Sequence, residues 1–396
     1  MISTRIQELI VSGASIRAMF EDGRKMAELY GAENVYDFMV GNPGLHPPQE
    51  VFDAIREINE TMDPHEVHGY PPNAGLESTR KAVAEDLNRR FGMNYGAGNI
   101  IMTVGSGTAS NIAMQTLYNP GDKQIVFAPH FLEYITWAEN YGAESIIVPC
   151  REENGFEPDP EDLRATLTPD VKAVIINNPN NPTGVIYSED TIRGIADVLR
   201  EAEVRFGHPI YILSDEPYRE LVYTDQTVPF IPRYHKNTLI AYSWSKSLSL
   251  GGDRIGYLAV TPGADEEDLL IAGVVTANRI CGVTNAPTFQ QLIIERCLDA
   301  RVDIPYYRKN AEDLYRIVSG AGFTVLPPQG GFYLWIKSPV PDESDFLASA
   351  REEHLLLVAG SGFAAPGYVR ATFCIANETI LRSEGAFRRL AKRYGL

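Results

Sequence analysis

From about residue 100 the chain alternates short, β-branched apolar runs with stretches of helical period. The spacing predicts strands over Ile100–Val104, Gln124–Ala128, Ser145–Val148, Lys172–Ile176, Ile210–Leu213, Leu239–Tyr242 and Tyr257–Val260. Helices are expected over Ser110–Tyr118 and around Trp137. The strands read as near-continuous apolar runs rather than an apolar/polar alternation. Strands covered on both faces have that pattern, which predicts an α/β domain on a mostly parallel, seven-stranded sheet.

After about residue 285 the pattern changes. A helical stretch, roughly Thr288–Gly320, leads to a strand pair, Phe323–Leu326 and Phe332–Ile336, around Pro327-Pro328-Gln329-Gly330-Gly331. A helix near Asp345–Glu353, a strand near Tyr368–Phe373 and a helix from Glu378 make a smaller α+β unit. The expected division is a large domain over 48–285 and a small domain built from 1–47 with 286–396. A chain of 396 residues exceeds what one core usually serves, so two domains are also the natural count.

Composition narrows the function classes. The formal net charge of −17 disfavours a nucleic-acid or anionic-membrane partner, since both need clustered positive charge. Cys150, Cys281, Cys297 and Cys374 are scattered, forming neither a zinc pattern nor a disulfide framework. Met1–Gly23 carries charges and lacks an apolar stretch of signal-peptide length, and no membrane-length apolar run occurs anywhere. The expectation is a cytoplasmic protein without a metal site.

The polar residues fall where a ligand would. Ile100–Val104 runs into Gly105-Ser106-Gly107-Thr108, and Lys172–Ile176 into Asn177-Asn178-Pro179-Asn180-Asn181-Pro182-Thr183-Gly184. Ile210–Leu213 runs into Ser214-Asp215-Glu216-Pro217-Tyr218, and Leu239–Tyr242 into Ser243-Trp244-Ser245-Lys246. Ligands of open parallel sheets bind beyond the carboxyl ends of the strands, so four such clusters imply one large polar ligand. Gly105–Thr108 reads either as a strand-to-helix turn or as an anion seat at a helix start; it is neither a Walker nor a dinucleotide motif. Asp215, at the end of a buried strand, costs several kcal/mol unless paired. Lys246, flanked by serines, is a surface lysine or a nucleophile in a cleft.

Taken together, the clusters resemble the class I/II aminotransferases, fold-type I enzymes dependent on pyridoxal 5′-phosphate (PLP). The resemblance spans Gly41 to Arg370. It rests on Ser-x-Ser-Lys246 followed by Arg254-Ile255-Gly256, on Asp215-x-x-Tyr218 upstream, and on Asn181-Pro182-Thr183-Gly184 before that. The resemblance implies that Lys246 holds PLP as a Schiff base and shuttles a proton. Asp215 would keep the pyridine nitrogen protonated, and Tyr218 and Asn181 would donate to the ring phenolic oxygen. Ser106, Gly107 and Thr108 would seat the phosphate, with Ser243, Ser245 and Arg254 as further donors. Phe131 would stack on the ring or is simply a core aromatic. Arg370 would clamp the substrate α-carboxylate, with the Gly41 backbone and Asn181 beside it. Tyr70 would reach the phosphate of a neighbouring subunit, and Asn285 lies in a similar segment; the resemblance thus implies a homodimer with shared sites.

Two departures leave specificity open. The phosphate loop reads Ser-Gly-Thr-Ala-Ser where many relatives carry another glycine. Arg279 lies near the region from which aspartate-using relatives present a second arginine. The reading is an aminotransferase moving an amino group between an L-amino acid and a 2-oxo acid by a ping-pong mechanism. A PLP-dependent β-lyase and a non-enzymatic effector sensor are the alternatives.

Overall fold

A computed structural model describes residues 2–12 and 23–396. Strand β1 (Tyr36–Asp37) precedes the main sheet, which comprises β2 (Ile100–Thr103), β3 (Lys123–Ala128), β4 (Glu144–Pro149), β5 (Val171–Asn177), β6 (Tyr211–Asp215), β7 (Thr238–Ser243) and β8 (Gly256–Val260). Their order is β2-β8-β7-β6-β5-β3-β4. All neighbours are parallel except β8, which runs antiparallel to both β2 and β7. The seven-stranded, mostly parallel sheet expected from the apolar runs is therefore present.

Both faces of that sheet are covered, which is why its strands show no alternation. On one side Ile101, Val126, Ile175, Leu213 and Leu258 pack with residues of the helices Ser106–Leu117 and Glu267–Ile280. On the other, Ile125, Val174, Ile176 and Ile212 meet Ile192, Ile195 and Leu199 of the helix Glu189–Phe206. That helix starts at Ser188, whose hydroxyl accepts from Thr191 N at 3.2 Å, and stops at Gly207 in the left-handed conformation (φ 76°).

The C-terminal part builds a second layer. Strands β9 (Tyr333–Lys337), β10 (Leu355–Leu356), β11 (Val358–Ala359) and β12 (Tyr368–Thr372) follow. The order β11-β12-β9 forms an antiparallel sheet, while β10 pairs with β1. Its core, including Phe38, Tyr307, Leu314, Phe332, Leu334, Phe373 and Phe387, reaches across to Tyr218, Leu221 and Tyr223.

Several boundaries differ from the sequence reading. The helix after β2 begins at Ser106 rather than Ser110, because Gly105 takes φ +85° and lets the chain turn at once. The long helical stretch breaks into Thr288–Arg296 and Ile304–Gly320, the second capped by Asp303. The first of these packs with Val51, Ile58, Val83 and Leu87, among helices that precede the main sheet. Phe323–Leu326 is no strand; only the bridge Val325–Ile336 forms there. The last helical segment is two helices, Asn377–Arg382 and Glu384–Arg393. At the N-terminus the helix Thr4–Ser12 touches the larger unit, through Arg5 Nη2 donating to Thr136 O at 2.9 Å. Residues 13–22 lie outside the described residues. No helix among the described residues is long and apolar enough to cross a membrane.

Candidate active site

The carboxyl ends of β5, β6 and β7 open into a cavity of about 560 Å³, closed on the far side by Met39–Asn42, Tyr333 and Arg370. Ser106, Gly107, Phe131, Asn181, Asp215, Tyr218, Ser243, Ser245, Lys246 and Arg254 all line it. The four polar clusters thus converge, for the reason given by the topology: parallel strands deliver their following loops to one edge.

Asp215 ends β6 at the cavity floor, 7% exposed. Its Oδ2 accepts from Tyr134 Oη at 2.5 Å, while Oδ1 has no hydrogen-bond partner among the described residues. Burial pushes this carboxyl up from 3.8 to about 6, against the pull of the Tyr134 and Ser106 hydroxyls. Asn177, at the end of β5, braces the same strand end: its Nδ2 donates to Asp215 O at 2.8 Å and its Oδ1 accepts from Asn181 N at 2.7 Å.

Lys246 sits on the single turn Trp244–Ser247, capped by Ser243, whose hydroxyl accepts from Ser245 N at 3.4 Å. Its Nζ, half-buried, donates to Gly41 O at 2.6 Å. Arg254 adopts φ +54°, which aims its guanidinium at Gly251 O (3.0 Å) and Val104 O (3.3 Å), beside the start of the helix Ser106–Leu117. Backbone N–H groups and the helix dipole at that start favour an anion. Arg370, on β12, is held by Asn181 Oδ1 at 3.0 Å and Met39 O at 2.9 Å, and its buried Nε has no partner among the described residues. Tyr218 Oη lies 3.2 Å from Tyr333 Oη, and burial, followed by Tyr333, holds the Tyr218 phenol well above its usual 10. It therefore remains a proton donor at neutral pH.

A carboxyl with one free oxygen, an amine, a phenol, a guanidinium with a free Nε and a helix start around one cavity suit a ligand with a basic ring nitrogen, a carbonyl, a phosphate and a carboxylate. The sequence profile of the family "Aminotransferase class I and II" matches residues 32–383. The chain belongs to that family.

This class I and II aminotransferase is an enzyme of the transaminase type with the fold-type I architecture. It is 28% identical over 383 residues to an aspartate aminotransferase of Pyrococcus horikoshii, covering 95% of this chain and 94% of that one. Among solved structures, an amino transferase of Eubacterium rectale superposes with a TM-score of 0.96 at 38% identity, covering 100% of both chains. The aspartate aminotransferase of Thermus thermophilus with maleate gives 0.86 at 26% identity, over 98% of this chain and 99% of that one.

Two expected residues of the aminotransferase stand apart from its cavity. Thr108 is not among the lining residues; its hydroxyl turns back to Val104 O at 3.3 Å. Tyr70 is 94% exposed and lines a separate hollow with His65, Glu66 and His68. The Tyr70 segment and the Asn285 segment do meet: Asn285 Nδ2 donates to Pro71 O at 2.8 Å and Asn73 Nδ2 to Thr284 O at 3.1 Å. Arg279 is exposed and does not line the cavity. The sequence reading missed Tyr134, Trp137, Asn177 and Tyr333. Tyr134, at the start of the helix Glu133–Glu139, follows three residues after Phe131 and meets its ring edge-on. Asn177 opened the asparagine run already singled out, and Tyr333 directly follows the Gly-Gly-Phe of the turn.

Proposed function

We propose that this cavity binds PLP with Lys246 as the Schiff-base residue, and that an L-amino acid and a 2-oxo acid exchange an amino group there in two half-reactions sharing one site. Asp215 carries the reading. A buried carboxyl that has, among the described residues, one oxygen unpartnered and no cation against it needs a charged partner, and a protonated pyridine nitrogen is one. When bound, the cofactor supplies an electron sink for the pair released at the substrate α-carbon.

The chain's own residues then divide the work. Lys246 provides the attaching amine and a base for the α-proton. Asp215 keeps the ring nitrogen protonated, and Tyr218 and Asn181 donate to the ring oxygen. Ser106, Gly107, Ser243, Ser245 and Arg254 surround the phosphate, to which Thr108 contributes backbone rather than hydroxyl. Phe131, edge-on to Tyr134 and Trp137, walls the ring face. Arg370, its Nε free, takes the α-carboxylate beside Gly41 and Asn181.

The exposure of Tyr70 and its tie to the Asn285 segment support a homodimer in which Tyr70 completes a neighbour's phosphate seat. The names of the relatives make a dicarboxylic amino acid the first donor to test. Arg279, exposed on its own subunit, would recognise such a side chain only across a subunit interface.

The experiment is a spectral screen of the PLP-loaded protein against single amino acids, followed by borohydride trapping. Conversion to pyridoxamine phosphate with release of the matching 2-oxo acid is expected, with the trapped label on the Lys246 peptide. Release of ammonia and pyruvate from cystathionine without a 2-oxo acid requirement would establish the lyase instead. Label on another lysine removes the assignment.

A further inference from the structure

Tyr333 stands where three parts of the cavity meet. It opens β9, with Thr372 as its cross-strand partner two residues from Arg370. Its ring lies 4.1 Å from Arg370 Cζ. Its hydroxyl is 3.2 Å from that of Tyr218, and either can donate. Gly41, whose carbonyl takes Lys246 Nζ, lies directly against it: a Cβ there would overlap Tyr333 Oη and sit 2.8 Å from its Cζ. The two phenols are only 4% and 5% exposed, so their protons have few acceptors. They share one hydrogen bond, which leaves one proton for a third partner. Should Tyr218 serve a ring oxygen in the cavity, Tyr333 must be the donor to Tyr218.

We propose that Tyr333 is a positioning residue that donates to Tyr218 Oη, turning the Tyr218 proton toward the cofactor while its ring backs the Arg370 guanidinium. This rests on the cofactor reading above. Donation polarises the Tyr218 O–H and strengthens its own donation, since chained hydrogen bonds reinforce one another in a low-dielectric site. A stronger donor on the ring oxygen stabilises that oxygen's anion and lowers the proton affinity of the neighbouring imine nitrogen. Tyr333 thereby joins the carboxylate clamp to the acid–base setting of the cofactor. The other titratable groups facing this region, Asp215, Tyr134, Lys246, Arg370 and Cys374, are unchanged in the variants below.

The test loads wild type and Tyr333→Phe with PLP and titrates the visible band of the lysine-linked cofactor against pH. Tyr333→Phe should raise the apparent pKa by about half a unit, the scale of one modest hydrogen bond. Tyr218→Phe should raise it further, and Tyr333→Phe should add nothing in that background. The KM for the amino acid should stay near wild type in Tyr333→Phe, which keeps the ring over Arg370, and rise several-fold in Tyr333→Leu. An unchanged or lowered pKa in Tyr333→Phe, or an equal shift with Tyr218 already removed, overturns the proposal. If Tyr333→Phe does not fold, 3-fluorotyrosine at position 333, a more acidic phenol of nearly the same shape, must shift the titration downward. A rise or no change there refutes the donor direction. If wild type gives no visible band with PLP, the cofactor reading fails, and this proposal with it.

Discussion

Asp215→Asn should stabilise the cofactor-free protein at neutral pH and cripple the loaded enzyme. Burial at the end of β6 moves this carboxyl from 3.8 to about 6, and the Tyr134 and Ser106 hydroxyls do not offset it. Below pH 3.8 the group is neutral in both the folded and the unfolded chain and costs nothing. Between 3.8 and about 6 the unfolded chain ionises while the folded chain holds its proton; above about 6 the folded chain must bury the charge. The stability present below the unfolded pKa is thus lost as pH rises through the folded one. A shift from 3.8 to about 6 corresponds to ~3 kcal/mol, lost in full above about pH 6. Asparagine keeps an acceptor for Tyr134 and carries no charge. Urea midpoints of the two cofactor-free proteins should nearly coincide at about pH 4 and separate in favour of Asn at about pH 7.5, by up to ~3 kcal/mol after extrapolation. Saturating PLP should erase the wild-type deficit, because the ring nitrogen supplies the missing charge and binding adds to the folded state. In the loaded enzyme, Asn cannot hold that nitrogen protonated, so kcat should fall at least ~100-fold. Equal or lower stability of the Asn protein at pH 7.5, or a gap that does not widen from pH 4, would refute the reasoning.

Arg370→Lys removes the planar fork that Asn181 and Met39 hold in place; steady-state kinetics should show the amino-acid KM rising ~10–100-fold with kcat less affected. Gly41→Ala places a Cβ on Tyr333 Oη and displaces either the ring or the Met39–Asn42 segment; substrate affinity and PLP retention on gel filtration should both drop, whereas Gly252→Ala, which meets nothing within 4 Å, should be silent. Mixing Tyr70→Ala with Lys246→Ala should restore activity toward about one quarter of wild type per total site, if a tag-transfer control shows subunit exchange and Tyr70→Ala alone is impaired. Exchange without restored activity would assign Tyr70 to its own subunit or to packing.

The fold was legible because its main signal is local. Seven apolar runs at strand length appear in order, and the polar residues that end four of them meet in one cavity. What escaped depended on tertiary placement. Tyr134 carries no motif; it matters because the helix Glu133–Glu139 lays it under Asp215. Tyr333 looks like any strand aromatic until β9 and β12 set it over Arg370. The helix break after Arg296 was hidden because Cys297–Arg301 keeps helical composition, and Asp303, with Pro305 behind it, restarts the chain. Thr108 shows what a motif leaves unsaid: its place at the helix start is legible in the sequence, but the turn of its hydroxyl back to Val104 O is not.

One feature of the joint between the layers reaches beyond its local geometry. Gly184 O accepts from both Gln329 N (3.1 Å) and Gly330 N (3.0 Å), Leu221 O accepts from Gly331 N at 2.9 Å, and Val222 bridges Gly330. The loop that carries Asn181 and the turn that launches Tyr333 are thus riveted by main-chain bonds, and Gly184, at φ +72°, admits no side chain between them, since a Cβ would lie 2.7 Å from Tyr333 O. Asn181, which holds Arg370 Nη1, and Tyr333, whose ring faces the same guanidinium, are therefore set relative to each other by the polypeptide itself, like the jaws of a fixed gauge. With the roles proposed for Arg370 and Lys246, that setting would serve the one part shared by all amino acids, the α-carboxylate and α-amine, so substitutions elsewhere in the cavity should change substrate preference without disturbing it.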